Sequence, residues 1–150
     1  MQSPTLVERS PVERVLVVAR LEWKERDFTY NEASWPGHQL QLVERGGVHI
    51  GSGGRSYEVG PGTVMWFYDN EDVHGRVFDA PWRFYSVNFL APNLPPPSFE
   101  RRFIRLPLQR ILPRFEALRG AWTDTRVPPL VRLFTIQARL LDILAEVTTP

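Results

Sequence analysis

The chain has 150 residues, 43% hydrophobic and 23% charged, the size and balance of one globular domain able to bury its own core. It has no cysteine, which excludes disulfides and thiolate metal or redox chemistry. Its net charge of +1 is too small for a nucleic-acid or membrane surface built on bulk electrostatics, and no apolar run approaches the roughly 18–20 residues of a membrane span.

The chain opens on Met1–Glu13, polar and proline-containing, without the basic-then-apolar pattern of a leader. A cytoplasmic location is expected, and the segment is a candidate arm that could fold over a pocket. From about Val15 to Leu90 the texture is β. Runs of Val, Ile, Tyr, Phe and Trp are broken at short spacing by Gly, Pro, Asn and Asp clusters, the pattern of a sandwich or barrel. The predicted strands are Arg14–Leu21, Phe28–Tyr30, His38–Arg45, Val48–Gly51, Arg55–Val59, Thr63–Tyr68, Val73–Val77 and Trp82–Leu90. Short strands joined by tight turns suggest a jelly roll.

Four prolines in Ala91–Ser98 then exclude a central strand, and Phe103–Leu106 reads as one more short strand. Beyond it the apolar period becomes helical through Leu108, Ile111, Leu112, Phe115, Leu118 and Trp122. Pro113 places the regular start of this helix near itself, and Gly120 reads as its C-cap. A second helix starts at Pro128-Pro129. Its polar stripe is Arg132, Thr135, Arg139, Asp142 and Glu146, and the remaining apolar arc is wider than one packing face needs. Deep burial within the chain would explain that arc. A homodimer through this helix explains it too, with Leu130, Leu133, Phe134, Leu141 and Leu144 as interface candidates, and is the expectation. The fold expected is a jelly-roll β-barrel over about 14–106 followed by two α-helices over about 107–148, as one domain.

Strand alternation groups the side chains that could carry chemistry. His38, Leu40, Leu42 and Glu44 share a face, as do Trp66 with Tyr68, His74 with Arg76, and Trp82 with Phe84, Ser86 and Asn88. If these sets point into the barrel, they give a pocket with aromatic walls and a few polar groups, the usual make-up of a small-molecule site. The pocket candidates are therefore His38, Trp66, Tyr68, His74, Arg76, Trp82, Phe84, Ser86 and Asn88, with Arg76 favouring an anion. The alternative is that these side chains simply fill a closed core. Glu44 with Arg76 reads as an ion pair, and Glu44 with His74 as an acid–base pair. No G-x-S-x-G elbow or phosphate loop is present, so no nucleophile is assigned.

The stretch from Trp35 to Phe89 resembles the cupin-type effector-binding domain of AraC-type transcription regulators. The resemblance rests on HQLQLVERGG, on Tyr57 with the Gly60-Pro61-Gly62 turn, on His74, and on the Trp82–Phe89 strand. It implies a small-molecule effector and homodimerisation, with no catalysis and no cofactor. It also implies DNA binding through a helix–turn–helix domain that does not fit after Val147, so this segment alone is not expected to bind DNA. The same fold suggests an alternative, a small free-standing metal-dependent cupin enzyme (an isomerase or dioxygenase) with His38, Glu44 and His74 as ligands. Such cupins use a His-x-His pair, and Leu40 stands where the second His would be. Asp69 and Glu71 stand near the Pro and Gly that the second motif expects.

Overall fold

The structure, a computed structural model, describes residues 11–149. Seven strands precede two helices: β1 Arg14–Trp23, β2 Thr29–Ala33, β3 His38–Ser52, β4 Arg55–Val59, β5 Thr63–Tyr68, β6 Asp72–Leu90, β7 Phe103–Arg105, α1 Leu108–Thr123 and α2 Pro129–Thr148. All pairings are antiparallel. β3 and β6 pair along their whole length and serve two layers. One layer is β1, the end of β6, the start of β3, β5 and β7. The other is β2, the start of β6, the end of β3, and β4. This is the expected cupin-type jelly roll followed by two helices, with the strand count corrected.

The correction lies at Gly46-Gly47 and Asp79-Ala80-Pro81, expected to end strands. Both sequences bend a continuous strand from one layer into the other. The ladder shifts register between Val43 and Val48, which is the bulge chemistry that turns barrel corners. Gly46 has φ +80°, and a Cβ there would lie 2.3 Å from the Pro81 carbonyl oxygen. Only glycine combines that conformation with that approach.

Two apolar cores result, one on each face of the first layer. Between the layers lie Val43, Val48, Ile50, Val59, Met65, Phe67, Val73, Val77, Trp82 and Phe84. On the opposite face Leu40, Leu42, Trp66, Val87 and Phe89 pack against Ile111, Phe115 and Leu118 of α1 and Ile136, Leu140, Ile143 and Val147 of α2. Val12 belongs to this second core, and Glu13 donates its backbone N–H to the Leu90 carbonyl at 2.9 Å. The end of the expected arm therefore anchors on the helix side, and Met1–Ser10 lies outside the described residues.

α1 begins at Leu108 and passes through both Pro113 and Gly120, where the sequence suggested a start and a stop. Burial of Ile111, Phe115 and Leu118 outweighs local propensity, as tertiary packing commonly does. α2 starts at Pro129 as expected, a proline in the first turn costing no ladder bond. Its polar stripe is not a purely solvent face: Glu146 meets Arg110 at 2.6 Å and Arg114 at 3.0 Å, and Asp142 meets Arg114 at 3.3 Å. These pairs fix α2 antiparallel to α1. Leu144 is buried in the chain's own core and Leu141 packs half-buried against it, so the dimer candidates divide. Leu130, Leu133 and Phe134 remain exposed, at 61%, 48% and 62%.

Candidate functional site

The space between the two layers is filled at one side and hollow at the other. Around β3, β4 and β5, branched and aromatic side chains close it. Towards β1 and β2 a cavity of about 210 Å³ remains. The register explains the difference. Ala19 of β1 faces Ser86 of β6, which neighbours Gln41 of β3, and one step along, Val17, Asn88 and Gln39 form the next row. Small or uncharged polar side chains occupy these two rows, leaving room that leucines would fill. Trp23 pairs with Trp82 and Leu21 with Phe84 to form the aromatic end. Tyr30 and Glu32 of β2 close the cavity from the second layer, with Trp35 beside them.

The walls are organised by stacking. Trp82 lies parallel to Tyr30 (centroids 5.8 Å apart, 9°) and to Phe84 (4.1 Å, 21°), and Trp23 lies on Phe28 (4.6 Å, 11°). Tyr30 reaches this position because Gly75 opposite it has no side chain; a Cβ there would meet the Tyr30 ring at 2.1 Å. Burial, with the nearby Glu32 carboxylate adding to it, pushes the Tyr30 hydroxyl well above its ordinary pKa, so it stays protonated. On the floor Gln39 donates to Ser86 Oγ at 3.4 Å. Two buried donors on cavity residues, Asn88 Nδ2 and Trp82 Nε1, have no hydrogen-bond partner, a condition that costs about 1–3 kcal/mol per group unless a ligand or water relieves it.

Of the residues proposed from strand faces, Trp82, Phe84, Ser86 and Asn88 line this cavity. His38, Trp66 and Tyr68 do not. His38 and Trp66 sit on the other face of the first layer, where Trp66 Nε1 donates to His38 Nδ1 at 3.0 Å. His38 Nε2 then carries the proton and donates to the Leu94 carbonyl at 3.2 Å, pinning the proline loop. Burial lowers the His38 pKa, the neighbouring Arg102 charge adds to this, and contacts to the Leu94 and Ala91 carbonyls oppose it. Tyr68 packs on His38 at 4.8 Å. His74 and Arg76 lie on the outer face of the second layer beside shallow open depressions, since Val73 and Val77 take the inward positions. Arg76 is 3.8 Å from Asp27 and does not meet Glu44, which is held bidentately by Arg20 at 3.1 and 3.2 Å.

The alternative metal set therefore does not converge. Both ring nitrogens of His38 are engaged within the protein, Glu44 is paired with Arg20, and His74 belongs to the far layer. Among the described residues no cluster of three or more His, Asp or Glu side chains is placed to hold a metal ion.

The residues that strand-face reasoning missed are Val17, Ala19, Leu21 and Trp23 on β1, Tyr30, Glu32 and Trp35 around β2, and Gln39 and Gln41 on β3. For β1 a signal existed: Arg20 and Glu22 alternate with Ala19, Leu21 and Trp23, marking the latter as one face.

A second network runs from beside the cavity to the residue that precedes β7. Ser34, beside Trp35, donates its N–H to the Glu71 carbonyl (2.8 Å) and accepts the Glu71 N–H on Oγ (2.9 Å). The Glu71 carboxylate accepts from Arg102, which also donates to the carbonyls of Pro97 (2.8 Å) and Trp66 (3.4 Å). Arg102 immediately precedes β7, and α1 follows from Leu108.

With this geometry in view, comparison with known proteins is specific. The family model of the AraC-like ligand binding domain matches residues 15–104. The chain belongs to this family. No curated protein matches it by sequence. Among solved structures, unsaturated fatty acid bound ToxT from Vibrio cholerae superposes with a TM-score of 0.55 at 11% identity, covering 91% of this chain and 55% of ToxT. The EutQ protein of Clostridium difficile gives a TM-score of 0.42 at 20% identity over 50% of this chain and 56% of EutQ. The cupin domain of an XRE family transcriptional regulator from Enterobacter cloacae gives 0.43 at 13% identity over 50% of this chain and 80% of that domain. The chain thus spans little over half the length of ToxT or EutQ. The ToxT likeness extends over barrel and helices together and concerns the fold. No helix of the described residues is long and apolar enough to cross a membrane.

Proposed function

We propose that this AraC-like domain senses a small-molecule effector for a transcription regulator, binding it in the cavity between the two layers near β1 and β2. The role is regulatory rather than enzymatic, and DNA contact belongs to a helix–turn–helix domain outside this sequence. The observation that carries the reading is the half-hollow barrel. A cavity of about 210 Å³ exceeds the roughly 150 Å³ that accommodates benzene, and its residues include two buried donors lacking partners. ToxT, of similar fold, is known with a fatty acid bound. The Ser34–Glu71–Arg102 chain runs from beside Trp35 to the residue before β7, and the short stretch from there to α1 is the route by which we expect an occupied cavity to bias the helices.

A second copy of the chain is the proposed partner of α2. Leu130, Leu133 and Phe134 run at helical spacing with no charged side chain among them, and Leu141 extends the same stripe half-buried. A twofold contact would bury this patch on both copies at once. Phe134→Glu is expected to leave a folded monomer by sedimentation velocity.

Thermal unfolding against a metabolite library tests the sensor. A compound at 100 times its Kd should stabilise the domain by about 2.7 kcal/mol, and Ala19→Leu, which fills the cavity, should abolish the shift. If no compound stabilises the protein, the reading fails.

A further inference from the structure

The walls of the cavity carry a charge pattern that selects among effectors. On β1, Ala19, Leu21 and Trp23 face inwards, so Arg20 and Glu22 face out. Arg20 is spent on Glu44 and Arg83 on Glu22. On the second layer Arg76 is likewise outside, beside Asp27. No arginine, lysine or histidine lines the cavity, and its one carboxylate, Glu32, has no ion-pair partner among the described residues. An anionic effector would bury its charge without a counter-ion and against Glu32, which is unfavourable on both counts.

The remaining surface is aromatic and neutral. Tyr30, Trp82 and Phe84 are stacked on one another, and the exposed rings at the cavity are Trp23 (37%) and, at the mouth, Trp35 (51%). Tryptophan faces attract cations more strongly than other rings do. The floor presents amide and hydroxyl groups, with the Asn88 and Trp82 donors unpaired.

Resting on the sensor reading above, we propose that the cavity takes a small planar aromatic cation. Its ring stacks on Trp23 and Trp35, its positive nitrogen lies towards Glu32, and a hydrogen-bond-accepting substituent reaches the amide floor. The preference reverses the one Arg76 suggested from sequence, because Arg76 lies outside the barrel.

Three probes sharing one ring test the assignment by isothermal titration calorimetry on the whole chain: nicotinamide methylated on its ring nitrogen (a permanent cation), nicotinamide itself, and nicotinate. The cation should bind about five- to tenfold tighter than the neutral ring, the size of one partly exposed charge interaction, and nicotinate weakest. Glu32→Gln, at an exposed position where folding should be unaffected, should erase the roughly five- to tenfold gap between the cation and the neutral ring. Nicotinate binding as tightly as the cation, or an unaltered preference in Glu32→Gln, overturns the charge assignment while leaving a working sensor. If none of the three binds at millimolar concentration, the ligand class is wrong. A library compound whose stabilisation Ala19→Leu abolishes would then still uphold the sensor reading.

Discussion

The two faces of the first layer use the same strands for opposite purposes. Towards the helices, Leu40, Leu42, Val87 and Phe89 are fully buried and Trp66 nearly so, every indole and imidazole nitrogen there being satisfied. Towards the second layer, the intervening Gln39, Gln41, Ser86 and Asn88 border open space, and Asn88 Nδ2 is left without a hydrogen-bond partner. Neighbouring residues thus belong to different problems, stability on one side and, on the proposed reading, recognition on the other. Alternation along a strand lets each side change with little effect on the other.

Substitutions on the sealed face should cost most. Phe115→Ala opens a hole under α1 against Tyr85, whose ring centroid is 6.0 Å away, and should lower unfolding free energy by about 3–5 kcal/mol in urea melts. Trp66→Phe keeps an aromatic ring but shortens it and strips His38 Nδ1 of its donor, for an expected loss of about 1–3 kcal/mol. An equal loss from Ser86→Ala on the open face would break the comparison.

The same face should carry a pH response. The native state favours neutral His38, whose pKa lies below its ordinary value of 6.5, so the unfolded chain binds the extra proton. Its stabilisation is complete above that value and is lost as the pH falls from there through the lowered native pKa. Urea midpoints should fall between about pH 7.5 and about pH 5, and His38→Gln should flatten that part of the profile.

The open face should tolerate change. Ala19→Leu should alter stability by less than about 1 kcal/mol, since added methylenes enter existing space, while removing effector binding. The smallest effect is expected for Arg20→Ala, which loses the partly exposed pair with Glu44 and should cost no more than about 1 kcal/mol, less in high salt.

That division also explains what the sequence made legible. Tyr57 to Tyr68, with its Gly-Pro-Gly turn, reads directly as two strands, and the Trp82–Asn88 face reads as one set. Which face of β3 meets the cavity does not, because helices cover one side and the second layer the other. Leu40 and Leu42 look like the lumen of a barrel, yet they face the helices and the glutamines face the lumen. A one-residue change of face inverts every assignment on a strand, and this moved His38 and Trp66 out of the predicted pocket. Gly46-Gly47 misled for a different reason, since glycine permits a corner as readily as an end. Glu32 and Trp35 were illegible because β2 is short and mostly exposed, and its place depends on Gly75, distant in sequence.

The partition of the five tryptophans has an optical consequence. Trp23, Trp35 and Trp82 border the cavity, whereas Trp66 is locked to His38 and Trp122 lies under Arg132 at the end of α1. On the proposed reading, emission from the first three is expected to report occupancy of the cavity, and emission from the last two the integrity of the helical layer. The domain carries its own fluorophores for both events, with no label required.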